Sequence, residues 1–190
     1  LTNLGGVFYA YENRSLPSII FPTSSQIFTQ FQIHDCDFST LDLSQLTGLA
    51  GTIRLDLNSN LTSVTNPTSS GIIDQYRIDN CNLSGTLDMS NLTGLGGLLY
   101  AYLNPNLNTI LNPSSTQEIY QYYVDNCDLS GTLDLSGLTN LRGDFRTHAN
   151  PNLTEIPLLR LGQDLMAFSP NFSRKRPATN RHSPSFQRFK

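Results

Sequence analysis

Asp56 and Asp79 are one repeat of 23 residues apart. In a chain that winds one turn per repeat, they would face each other on adjacent strands, about 5 Å apart. Two carboxylates at that distance can share a proton, as in a hydrolase pair. However, Arg54 and Arg77 lie two residues before them and would keep both acids ionised, and an open strip of sheet lacks the enclosed pocket of a glycosidase. We therefore predict no enzymatic activity, and a hydrolase is the third of three hypotheses.

The spacing of the histidine and acidic residues does not predict a metal site. His34 and His148 occupy the same position of repeats that are five turns apart, which is too far for one ion. The acidic turn Asp35-Cys36-Asp37 and its counterparts near Cys81 and Cys127 lack the ligand spacing of a calcium loop. We predict that the protein uses no metal and no cofactor.

Aromatic and charged residues recur beside Asp56 and Asp79 at the outward positions of the predicted strands. Successive side chains of a strand alternate between its two faces, so each outward position forms a column with one residue per repeat. The inward positions repeat closely within this sequence, whereas the outward ones vary. Exposed Tyr, Arg, His and Asp are typical of recognition surfaces. We predict a concave ligand-binding face made of Tyr9, Tyr11, His34, Arg54, Asp56, Arg77, Asp79, Tyr100, Tyr102, Tyr123, Asp125, Arg146 and His148.

The tyrosines have a second interpretation, because Tyr is also a good strand former and stabilises sheets through cross-strand pairs. On the recognition hypothesis, replacing Tyr100 and Tyr102 with Ala abolishes binding and leaves thermal stability nearly unchanged. A third outward column, at the strand exit, comprises Glu12, Asp35, Leu57, Asn80, Leu103, Asn126 and Ala149.

A ladder of Asn and Cys residues defines the repeat that must position these side chains. It runs Asn13, Cys36, Asn58, Cys81, Asn104, Cys127, Asn150, with gaps of 23, 22, 23, 23, 23 and 23 residues. Such regularity indicates a solenoid in which each turn stacks on the one before. We expect each Asn to turn inward and satisfy backbone groups of its own and adjacent coils, with Cys filling the same slot.

The residues around the ladder read F-x-x-F-x-I-x-x-C-x-F from Phe28, I-x-x-Y-x-I-x-x-C-x-L from Ile73 and I-x-x-Y-x-V-x-x-C-x-L from Ile119. This pattern, with its S-G-T-L-D-L-S continuation, resembles the leucine-rich repeat family in a bacterial or plant-like variant. The resemblance covers about residues 1–160. It implies a right-handed leucine-rich-repeat superhelix with short parallel strands on the concave face, and it does not identify a ligand.

The return side of each coil is predicted to be extended or 3₁₀ rather than helical, because Pro and clustered Ser and Thr disfavour helix. Segments such as Thr40-Leu41-Asp42-Leu43, and their counterparts at Thr86 and Thr132, are predicted as short second strands. We predict seven coils over residues 1–156, a degenerate closing coil over 157–172 and a basic tail over 173–190.

Cysteine and charge add two expectations. Cys36, Cys81 and Cys127 fall two coils apart, about 10 Å, which exceeds the reach of a disulfide.

Residues 1–173 contain fifteen acids, six Arg and no Lys, whereas residues 174–190 contain six cations and no acid. The tail is expected to dock through Arg174, Lys175, Arg176, Phe186 and Phe189, and nucleic acid is the less favoured partner.

These observations predict a non-enzymatic module that recognises or adheres to another protein or a glycan. The alternative is a structural subunit of an extracellular or virion assembly, such as a fibre, sheath or filament, whose basic tail docks on a neighbouring copy. A body rich in Asn, Ser and Thr suits an extracellular, cell-surface or virion-surface location. No apolar run is long enough to span a membrane.

Overall fold

The computed structural model describes residues 5–68 and 71–157, which form a parallel β-solenoid of about six turns. Each predicted coil contributes one strand to a seven-stranded parallel sheet. The described residues contain no helix, and hence none that could cross a membrane. In spatial order the strands are β1 (Gly6–Tyr11), β2 (Phe28–His34), β4 (Leu49–Arg54), β6 (Ile73–Arg77), β8 (Leu95–Tyr100), β10 (Ile119–Tyr123) and β12 (Leu141–Arg146).

Six short strands build the return side as three parallel pairs. They are β3 (Thr40–Asp42) with β5 (Ser63–Thr65), β7 (Ser84–Asp88) with β9 (Asn106–Leu111), and β11 (Ser130–Thr132) with β13 (Asn152–Glu155). The short strands predicted in alternate coils are confirmed at β3 and β7, whereas β11 lies earlier than predicted and ends at Thr132, the first residue of the predicted segment. Their partners β5, β9 and β13 were not predicted, because a short strand forms only where the neighbouring coil offers backbone groups in register.

The core lies between the sheet and the return strands and is filled by the inward positions of every coil. The Asn ladder is inside it as predicted, since Asn58, Asn104 and Asn150 are buried and each bonds backbone groups of its own and the preceding coil. Asn13 differs, because it belongs to the first described coil and is exposed.

The three cysteines are free and buried, as their inward position predicted. The Cys81 thiol contacts the carbonyl oxygens of Leu55 at 3.3 Å and Asp79 at 3.6 Å. Burial raises the pKa of Cys81 to about 12 and that of Cys127 to about 11. Because the thiolate is the reactive form, these side chains are core residues rather than nucleophiles.

The third column, at the strand exit, is exposed or half-buried and is also marked by its backbone conformation. All seven of its residues have left-handed φ angles, between 52° and 62°. This conformation turns the chain at the strand exit and points the following Asn or Cys into the core. Asn and Asp tolerate it, as at Asp35, Asn80 and Asn126, but Leu57 and Leu103 adopt it with the strain of a bulky side chain.

Replacing Leu103 with Asn is expected to raise the free energy of unfolding by about 1 kcal/mol, because Asn reduces the left-handed strain. Leu103 is 43% exposed, so little apolar burial is lost. Urea unfolding of the full chain measures the change. Ile72→Asn is the control, since Ile72 is 51% exposed without a positive φ. An equal gain in both variants would contradict the explanation.

Candidate functional site

The two predicted columns lie side by side on the outward surface of the seven-stranded sheet, which we term the sheet face. Cα pairing follows the first column across all seven strands, from Tyr9 opposite Gln32 to Tyr123 opposite Arg146. Backbone hydrogen bonds at the strand exits hold the second column in the same register, as in Leu57 N–H to the Asp79 carbonyl. The sequence therefore assigned the register of this face correctly.

An Arg–Asp network occupies the centre of the sheet face. Arg54 donates two hydrogen bonds to Asp56, each 3.0 Å long. Arg77 lies 3.7 Å from Asp56 and 3.4 Å from Asp79, so it bridges the two acids. Both aspartates are 1% exposed. The prediction that they form part of an exposed array is wrong, because the guanidinium groups cover them.

This network does not resemble a catalytic carboxylate pair. Two close carboxylates share a proton when their negative charges repel each other. Here each aspartate has an arginine partner within 3.4 Å, which compensates its charge. Tyr102 adds a further neighbour, and its pKa is raised by burial first and by Asp79 second. The two buried aspartates therefore hold the guanidinium groups of Arg54 and Arg77 in fixed positions as hydrogen-bond donors.

Tyr100 and Tyr123 form a stack within the first column. Their rings are parallel within 5°, with centroids 4.9 Å apart. The guanidinium carbon of Arg77 lies 5.3 Å from the centroid of the Tyr100 ring, and that of Arg146 lies 4.1 Å from the centroid of the Tyr123 ring. Tyr123 is 8% exposed, and burial together with Asp144 raises its pKa to about 12. These flat ring faces contact one another and the two guanidinium groups.

This stack revises the expectation for the tyrosine variants. Tyr102 packs edge-on against Tyr100, with ring centroids 5.9 Å apart. Removing the Tyr100 ring would therefore disrupt contacts with Tyr102, Tyr123 and Arg77 together. Buried aromatic pairs contribute about 0.5–1.5 kcal/mol beyond their area, so a loss of stability is expected where the sequence alone predicted almost none.

A further outward column, which was not predicted from the sequence, fixes three of the tyrosine hydroxyls. It lies two residues before the first column and runs Val7, Gln30, Thr52, Gln75, Leu98, Gln121, Asp144. Tyr9 donates to Gln30, Tyr100 donates to Gln121, and Tyr123 donates to Asp144 at 2.8 Å. The period-two alternation of the strands could have revealed these positions, because they share the outward face.

Tyr9 and Tyr11 form the most accessible aromatic pair of the predicted site, and each is 50% exposed. Their rings meet edge to face with centroids 6.3 Å apart. Tyr11 also stacks on His34 at 5.2 Å with the planes within 9°. Within the described residues, the buried Nδ1 atom of His34 has no hydrogen-bond partner.

The remaining predicted residues lie at the other end of the sheet or outside the described chain. His148 is exposed and lies 3.4 Å from Asp125, which is 8% exposed. It is not brought near His34. The tail residues Arg174, Lys175, Arg176, Phe186 and Phe189 fall outside the described residues.

The sheet face can therefore stack on a ligand and exchange hydrogen bonds with it through amides, hydroxyls and paired guanidinium groups. No protein-family model, curated protein or solved structure matches this chain.

Proposed function

We propose that the protein is a non-enzymatic binding module that recognises a protein or glycan through its sheet face. The observation that carries this proposal is the half-exposed pair Tyr9 and Tyr11 beside an ordered row of polar side chains on one continuous sheet. Tyr offers an apolar ring and a hydroxyl with little conformational entropy, which suits contact surfaces.

Preorganisation of the neighbouring polar groups supports the same proposal. Arg54 and Arg77 are held by buried aspartates while their own side chains stay 28% and 27% exposed. A partner would therefore meet guanidinium groups whose rotamers are already restricted. Binding then avoids part of the entropy that free surface side chains lose.

The test is binding of the full chain to a glycan array and to a displayed peptide library. The combined replacement of Tyr9 and Tyr11 by Ala is expected to weaken any hit at least tenfold, because exposed tyrosines are frequent hot spots. Tyr120→Ala is the matched control, since Tyr120 is 54% exposed but lies outside the two predicted columns. Equal losses in both variants, or no hit on either library, would contradict the proposal.

We also propose that the solenoid is of the leucine-rich-repeat type and that it acts outside the cell or on a virion surface. The inward Asn and Cys slots and the single strand per coil on one side support the repeat type. A crystal structure with right-handed coils curved towards the sheet face is the expected result. Straight or left-handed coils would contradict it.

The alternative function is a structural subunit of a fibre or sheath. It is supported by the charge of residues 174–190, which contain six cations and no acid and so complement the acidic body of a neighbouring copy. On this alternative, the full chain should form concentration-dependent oligomers in light scattering, and deletion of residues 174–190 should make it monomeric.

A further inference from the structure

The return strands carry a second regular surface, which we term the return face: the outward side of β3, β5, β7, β9, β11 and β13. Exposed acids recur there in every second coil: Asp42 ends β3, Asp88 ends β7, and Asp134 lies two residues after β11. Glu155 in β13 extends the series, and Asp37 and Asp128 lie in turns leading into the return strands. Within the described chain, none of these six acids forms an ion pair.

The described cations lie elsewhere. Arg54, Arg77 and Arg146 belong to the sheet face, Arg14 pairs with Asp35 at the strand exit, and Arg142 lies 3.9 Å from Glu118. The segments 37–47, 59–68, 82–93, 105–116, 128–139 and 152–157, which form the return side, contain no Arg, Lys or His. The two faces therefore differ sharply in charge.

An apolar side chain interrupts the acids at the middle of the return face. Leu111 ends β9 and is 44% exposed, and its Cα pairs with that of Asp88 on β7. On the other side, Asn112 donates to the backbone carbonyl of Asp134. A surface with an exposed leucine between carboxylates fits a segment that combines cations with aromatic residues.

We propose that residues 174–190 of the same chain bind along the return face. This segment contains six cations, no acid and the aromatic residues Phe186 and Phe189. The described chain ends at Pro157, two residues after Glu155, which is itself on the return face. The docking is intramolecular and is weakened by added salt. Exposed charges interact over a Debye length of about 8 Å at physiological ionic strength, and this length shortens as the salt concentration rises.

The connecting chain is long enough for this contact. Residues 158–173 can span up to about 55 Å at about 3.4 Å per residue. The return face from β3 to β13 covers five coil intervals, or about 24 Å at the strand spacing. Tethering also raises the local concentration of the segment, so several weak ion pairs act together.

Zero-length carbodiimide cross-linking of the full chain tests the contact directly, because both lysines of the protein, Lys175 and Lys190, lie in this segment. Peptide mapping is expected to find them linked to Asp42, Asp88, Asp134 or Glu155. The combined Asp88→Asn and Asp134→Asn variant, or 0.5 M NaCl, is expected to lower the yield at least fivefold. Asp74→Asn is the matched control, since Asp74 is exposed but lies on β6 of the main sheet.

Three results would overturn the proposal. The first is that the lysines link mainly to Asp74, Glu12 or Glu118. The second is that no link forms above background. The third is that a mixture of isotope-labelled and unlabelled protein gives links only between copies, which would instead favour docking on a neighbouring subunit.

Discussion

Replacing Asn104 with Ala is expected to lower the free energy of unfolding by about 4 kcal/mol. The Asn104 side chain accepts a hydrogen bond from Leu83 N–H at 3.1 Å and donates to the carbonyls of Ile78 at 2.9 Å and Ala101 at 3.1 Å. All four residues are at most 2% exposed. Alanine would leave three backbone groups of two coils unsatisfied, at about 1–3 kcal/mol each before relaxation.

Asn13→Ala provides a matched control for this prediction. Asn13 occupies the same ladder position, but it is exposed, and within the described residues its amide donates only to the Tyr11 carbonyl, at 2.9 Å. Water can replace that bond, so we expect a loss below about 1 kcal/mol. Urea unfolding monitored by circular dichroism compares the two. Similar losses at both positions would show that the ladder does not stabilise the core through its hydrogen bonds.

Replacing Gly97 with Ala is expected to destabilise the protein by about 3 kcal/mol or more. Gly97 has a φ of 56°, and a Cβ atom there would lie 2.0 Å from the backbone oxygen of Asp74 on the adjacent strand. That oxygen cannot rotate away, since it belongs to the main chain of the sheet. The variant therefore combines left-handed strain with a clash that only movement of a strand relieves.

Gly85→Ala separates the clash from the strain. Gly85 has a similar φ of 70°, but a Cβ atom there would meet nothing within 4 Å. Its replacement should lower stability by about 1 kcal/mol, the left-handed penalty alone. Thermal and urea unfolding of both variants measure the difference. If Gly85→Ala were as harmful as Gly97→Ala, close packing of the coils would not be the cause.

The close approach at Gly97 recurs in alternate coils and was not predicted from the sequence. A Cβ atom at Gly51 would lie 2.2 Å from the Thr29 oxygen, and one at Gly143 would lie 1.6 Å from the Tyr120 oxygen. The sequence shows glycine at these positions of the repeat, but it does not show why glycine is needed there. The distance between neighbouring coils at a bulge is a property of the stacked sheet, since the two contacting residues are more than twenty positions apart.

Two polar pairs in the core were not predicted, although the sequence contains a signal for them. The buried hydroxyl of Tyr76 donates to Asn66 at 2.7 Å, and that of Tyr122 donates to Asn112 at 2.9 Å. In the first coil of this type both partners are replaced together by apolar rings, with centroids 5.5 Å apart, at Phe31 and Phe21. Joint replacement across repeats indicates contact, because a buried hydroxyl needs a partner.

The sequence by itself determined the solenoid, the seven stacked strands and the register of the sheet face. It could do so because one period governs the whole chain: a shift of one residue would move the apolar side chains of a strand out of the core. The same period placed the Asn and Cys ladder inside. These features depend on local alternation and on repetition, both of which are linear properties of the chain.

Only the tertiary structure decided which outward side chains are accessible. Asp56 and Tyr123 became buried because neighbours on adjacent strands cover them, whereas Tyr9 and Tyr11 stayed half exposed. Strands about 4.8 Å apart bring planar groups into stacking distance, so each residue's exposure depends on its neighbours in other coils. Two residues of the same type and the same column can therefore become either scaffold or surface, and that distinction selects Tyr9 and Tyr11 for the binding test.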